Sequence, residues 1–154
     1  MPPLLLKIWQ FLRLPTNFQL FVMRQVEDQF LVGVMGIFLD DKKRILLFKH
    51  TYRDKNHWSL PGGYLKGKEH PKEGLEREIK EESGLTVSAD ERLKIRTDRD
   101  SARLEIVYKG AYIGGEFSPS NEVKEIGFFP FEKLPSIPTD QLIFIEKALK
   151  SSVV

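Results

Sequence analysis

Residues 60–85 read LPGGYLKGKEHPKEGLEREIKEESGL. Pro71 suits the first position of a helix, and Gly84 suits a left-handed stop, so the spacing predicts a helix over residues 71–83. Glu78, Glu81 and Glu82 stand at i, i+3 and i+4, which places them on one side of that helix. Leu75 and Ile79 mark its buried side, and Glu82 falls close to that side on the helical wheel. Carboxylates crowded at a core edge raise one another's pKa and call for a neutralising partner. Arg77 is near in sequence, but a hard divalent cation with oxygen ligands answers the cluster better. A solvated acidic helix face is the bland alternative. The preceding Gly62-Gly63 shifts the balance, because a glycine-rich turn lets the backbone approach a ligand closely.

Outward from this stretch the pattern is strands, helix, strands, helix, an α/β or α+β layered domain. Residues 30–39 and 44–50 are β-rich runs joined by a turn at Asp40-Asp41, and residues 58–63 form a short strand closed by Pro61 and two glycines. Residues 85–88, 93–96, 103–113 and 126–129 read as further strands. Asp140 is positioned to cap a last helix over residues 141–150.

The chain has 154 residues, 41% apolar and 30% charged, which suits a folded core and excludes disorder. It has no cysteine, which excludes disulfides, thiolate metal sites and a cysteine nucleophile, and is compatible with a cytoplasmic setting. The net charge of +2 is made of +3 in residues 1–26 and −1 in the rest. A nucleic-acid binder would carry a much larger basic excess, so nucleic acid is not an expected partner. Residues 1–26 are apolar, but Lys7, Arg13, Pro15 and Asn17 interrupt any membrane-spanning run. Over residues 4–14, Lys7, Gln10 and Arg13 form a narrow polar stripe on an otherwise apolar helix. We expect this helical extension, followed by a domain over residues 27–154, to pack across a homodimer; contact with a membrane surface is the alternative.

Gly63, Glu69, Arg77, Glu78, Ile79, Glu81, Glu82, Gly84 and Leu85 together resemble the Nudix box, G-x5-E-x7-R-E-U-x-E-E-x-G-U with U aliphatic, at every specified position. A chance match is on the order of 10⁻⁸ or less per starting point at average residue usage. The likeness extends more weakly over about residues 30–150, through the Leu60–Gly63 lead-in and the EIGFFP run ending at Pro130. It implies a Nudix-type α/β/α sandwich with a mixed sheet. It also implies a pyrophosphohydrolase that uses Mg²⁺ or Mn²⁺, held by Glu78, Glu81, Glu82 and the Gly62 carbonyl. Arg77 would pair with Glu69 and orient the carboxylates. The base is open in this family: a box glutamate, or Glu116, Glu122 or Glu125 from later segments.

The box sets the chemistry and leaves the substrate to other residues. A proline common after the box in ADP-ribose pyrophosphatases is replaced here by Asp100 and Ser101. The tyrosine of diadenosine-polyphosphate hydrolases is missing near Ala102 and Arg103, and the upstream coenzyme A mark is absent. The KHTYR run ending at Arg53 looks like strands of nucleotide-sugar and ADP-ribose hydrolases. The expected substrate is therefore a nucleoside diphosphate sugar or ADP-ribose. The alternatives are a nucleoside triphosphate, oxidised ones included, and nucleotide binding without hydrolysis. Arg53, Trp58, Tyr64 and Lys66 are candidate substrate contacts. Lys68, His57 and His70 read as exposed or structural, and Gly74 as a close-packing position in the helix.

Overall fold

The computed structural model describes Lys7 and residues 15–52, 57–98 and 100–150. The chain separates into two units, Met1–Phe30 and Leu31–Val154. In the first, helix α1 (Thr16–Val26) starts after Pro15, whose carbonyl accepts from the Phe18 and Gln19 N–H groups. None of its residues is buried, and Phe18, Leu20, Phe21 and Val26 are exposed. The expected helix over residues 4–14 lies outside the described residues. Among those described, no helix is long and apolar enough to cross a membrane.

The second unit runs β1 (Leu31–Leu39), β2 (Ile45–His50), β3 (Gly62–Tyr64), α2 (Pro71–Ser83), β4 (Thr86–Asp98), β5 (Arg103–Gly114), β6 (Val123–Phe129), a 3₁₀ turn (Phe131–Lys133) and α3 (Thr139–Lys150). The six-stranded sheet has the order β4-β5-β1-β2-β6, with β3 also paired to β1. The β1–β5 pair is parallel and the other pairings are antiparallel, so the sheet is mixed as expected. Alternation along the strands builds a core on each face. Val34, Phe38, Leu46 and Phe48 pack with Leu75 and Ile79 of α2. Ile37, Ile45, Leu47 and Val107 pack with Phe144, Ile145 and Ala148 of α3. The result is a helix–sheet–helix sandwich.

Three local expectations are corrected. The strand expected over residues 58–63 starts only at Gly62. Pro61 has no N–H to give a ladder, and before it Ser59 makes a single bridge to Phe48. The two strands expected between residues 85 and 96 are one, β4, because the polar residues between them sit on bulges at Ala89/Glu91 and Arg92/Lys94 rather than in a turn. Asp140 does not cap α3. The helix begins at Thr139, the Gln141 N–H bonds to the Pro138 carbonyl, and the Asp140 carboxylate reaches Arg96 at 2.5 Å.

Candidate active site

Helix α2 carries the box carboxylates, and its ends are fixed locally. His70 is the N-cap, its Nδ1 accepting from the Lys72 N–H at 3.3 Å, and Pro71 follows as the first helical residue. Gly84 closes the helix at φ 75°, where a side chain would be strained and would meet the Glu116 carbonyl oxygen at 2.6 Å. Gly74 packs against the loop before the helix rather than against a strand. A Cβ there would collide with Leu65 and lie 2.8 Å from Glu69 Oε2.

The loop is held to the helix by charge. Arg77 donates to Glu69 from Nε at 2.5 Å and from Nη2 at 3.0 Å, a bidentate pair. Glu69 also accepts from the Lys66 N–H at 3.1 Å. The Arg77 hydrogen bonds, helped by that N–H, hold the Glu69 carboxyl down at about 2, and Glu69 in turn raises Arg77. The Nη1 of Arg77 reaches Glu78 at 2.6 Å and Glu81 at 2.9 Å. One guanidinium therefore touches three carboxylates.

Gly63 faces Glu78: a Cβ on it would lie 2.8 Å from the Glu78 carboxylate. Gly62 pairs with Met35 of β1, and a Cβ there would strike β1 backbone. These two glycines let the strand lie flat between β1 and the helix, under a cleft of about 650 Å³. Glu78, Glu82 and Glu122 all line that cleft, with Gly62 and Gly63. Burial, then the charges of Glu122, Glu78 and Glu81, push the Glu82 carboxyl up to about 7. Its Oε2 is buried with no hydrogen-bond partner among the described residues. A buried carboxylate oxygen left bare beside like charges fits a cation ligand. Among the described residues, however, no three carboxylates or imidazoles lie close enough to enclose an ion. Glu81 turns out of the cleft toward Arg77 and Lys66, the latter at 3.5 Å.

Of the late-segment acids, Glu122 is the one that the fold brings to the cleft. Glu125 pairs with Lys49 at 3.2 Å across the β2–β6 ladder, outside the lining, and Glu116 lies beyond the end of α2. Tyr64 and Lys66 line the cleft. Trp58 instead packs edge-on to Phe129 at 5.0 Å, under Lys49. Arg53 lies outside the described residues, and His57 and Lys68 are not among the lining residues.

Sequence reasoning missed a second group on the cleft: His50, Tyr52, Arg103, Glu105 and Gln141. Glu105 is buried and accepts from Arg96 at 2.5 Å and from Arg103 at 3.1 Å. Tyr64, then Glu105 and Asp98, hold the Arg103 pKa above its ordinary value. The signal was present: charges at positions 103 and 105 alternate into an otherwise apolar strand, a pattern that needs buried partners.

Residues 29–148 match the NUDIX domain. The chain belongs to the Nudix family. Its relatives include the ADP-ribose pyrophosphatase of Methanocaldococcus jannaschii, 34% identical over 123 residues, covering 77% of this chain and 70% of that one. A human 8-oxo-dGDP phosphatase is 28% identical over 108 residues, 67% of this chain but only 33% of that protein. Among solved structures, an ADP-ribose pyrophosphatase of Streptococcus suis is 26% identical with a TM-score of 0.67, covering 82% of this chain and 94% of that one. A UDP-X diphosphatase matches in fold, with TM-score 0.70 at 19% identity over 90% of this chain and 73% of that one. The Nudix chain is thus a hydrolase acting on pyrophosphate bonds, in a family that generally uses divalent metal ions.

Proposed function

We propose that this Nudix hydrolase cleaves the phosphoanhydride of a nucleoside diphosphate linked to another moiety, a nucleoside diphosphate sugar or ADP-ribose, in the presence of Mg²⁺ or Mn²⁺. The observation that carries this reading is the bare, buried Glu82 oxygen beside Glu78 and Glu122 in a cleft large enough for a nucleotide. Glu78, Glu82 and the Gly62 carbonyl would hold the cation; Glu81 joins them by leaving Arg77 and Lys66. The cation supplies charge neutralisation of the phosphates and a more acidic water. Arg77 and Glu69 keep the carboxylates oriented. Glu122, which lines the cleft and whose charge acts on Glu82, is our candidate base for the attacking water. Lys66, largely exposed at the cleft rim, is a candidate phosphate contact.

Two relatives named for ADP-ribose support the substrate, together with the KHTYR run of β2 and the loop after it. The 8-oxo-dGDP phosphatase likeness keeps oxidised nucleotides as the second reading. A panel of ADP-ribose, nucleoside diphosphate sugars, nucleoside triphosphates and 8-oxo-dGDP, with products separated by chromatography, decides between them. Nucleoside monophosphate plus sugar phosphate is the expected product pair. Preferential turnover of triphosphates or of 8-oxo-dGDP would replace this substrate.

A further inference from the structure

Besides the box residues, the cleft is lined by two donor side chains, Arg103 and Gln141. Arg103 lines it, and its Nε is buried without a hydrogen-bond partner among the described residues. The other side of that guanidinium is already used, Nη2 lying 3.1 Å from Glu105 and 3.4 Å from Asp98. Gln141 lines the same cleft with 6% of its surface exposed. Its Oε1 accepts from the Leu60 N–H at 2.7 Å, which fixes the amide orientation and leaves the NH₂ group without a protein partner among the described residues. The two residues share one frame. Arg96 bonds both to Glu105, which holds Arg103, and to Asp140, the neighbour of Gln141. Tyr64, about half exposed, lines the cleft beside Arg103 and accepts a side-chain hydrogen bond from it.

Charge decides what this corner takes. Glu105 and Asp98 already neutralise Arg103, so it is a poor site for a further phosphate, unlike Lys66 at the rim. Two donors without protein partners among the described residues, Arg103 Nε and the Gln141 NH₂, favour a group that offers acceptors. A sugar hydroxyl, donor and acceptor at once, fits less well than a carbonyl or imine nitrogen on a flat ring that can lie against Tyr64.

We propose that Arg103 and Gln141 read acceptor atoms on the substrate's nucleobase, which makes them the base-selecting residues of this enzyme. Glu105 is a positioning residue that holds Arg103. The proposal rests on the nucleotide reading above and goes beyond it by naming the residues that take the base.

Calorimetric titration of the intact protein with AMP, IMP, GMP, CMP and UMP in Mg²⁺ tests it apart from turnover. Gln141→Glu keeps the oxygen that Leu60 needs and removes the NH₂ donors, while Arg103→Lys keeps the charge facing Glu105 and removes Nε. The wild type is expected to prefer one base. Each variant should weaken that nucleotide about tenfold and flatten the ranking, the effect of one lost buried hydrogen bond. Wild-type affinity equal for all five overturns the proposal. So does an unchanged ranking in a folded variant, or a uniform loss across all five, which marks a structural or phosphate role. Clear base discrimination by a wild type that hydrolyses nothing would keep this corner and withdraw the hydrolytic reading.

Discussion

At Glu82 burial and neighbouring charge work against ionisation, lifting the carboxyl to about 7 from an ordinary 4.5. The unfolded chain gives up this proton more readily, so in metal-free protein the stability present below pH 4.5 is lost as pH rises through about 7. Solvent reaches this half-buried group, which reduces the effect to roughly 1–2 kcal/mol. Glu82→Gln should therefore melt higher than wild type above pH 7 in EDTA, yet lose about 100-fold or more in turnover with Mg²⁺. Melting curves against pH and steady-state rates check the two halves separately; a variant as active as wild type would remove Glu82 from the ligand set. Glu122→Gln should lower kcat by about 100-fold with the fold intact. A wild-type rate would return the base to Glu78 or Glu81. The glutamates were legible because i, i+3, i+4 spacing fixes a helix face whatever the tertiary context. That Glu122, and neither Glu116 nor Glu125, lines the cleft was not, since it depends on the long-range pairing of β6 with β2.

At the scale of elements, α2 shows where propensity and packing disagree. Alanine normally gains about 1 kcal/mol over glycine inside a helix. Gly74→Ala should nonetheless destabilise, by roughly 1–3 kcal/mol, because its Cβ runs into Leu65 and Glu69 and disturbs the Arg77 pair. Urea denaturation measures it, and a gain in stability would show that the loop yields at little cost. Gly84→Ala forces a side chain to φ 75° against the Glu116 carbonyl. A loss of roughly 1–2 kcal/mol, or about 3–8 °C in Tm, is expected. The bounds of α2 were readable because Pro71 and Gly84 act locally. The course of β4 was not: its polar residues 90 and 91 look like a turn, and only the pairing with β5 shows that bulges carry them.

For the whole molecule, the mixed sheet places the parallel β1–β5 pair in the middle and lays the glycine strand β3 along β1, which opens the cleft beside α2. That connectivity is long-range and was reached from sequence only through the resemblance carried by the box. The homodimer that we propose through residues 1–26 also belongs here, its support being the exposed Phe18, Leu20, Phe21 and Val26 of α1. Light scattering should give about twice the chain mass of 17.9 kDa, and a single-chain mass withdraws it. The central claim is hydrolysis of a nucleoside diphosphate derivative by the α2 carboxylates with a divalent ion. Its most direct test is the rate at which ADP-ribose yields AMP and ribose phosphate, followed by phosphorus NMR with Mg²⁺ and again with excess EDTA. Turnover with Mg²⁺ that stops in EDTA is the predicted result. Undiminished turnover in EDTA, or no cleavage of ADP-ribose or any nucleoside diphosphate sugar with Mg²⁺ present, would contradict it.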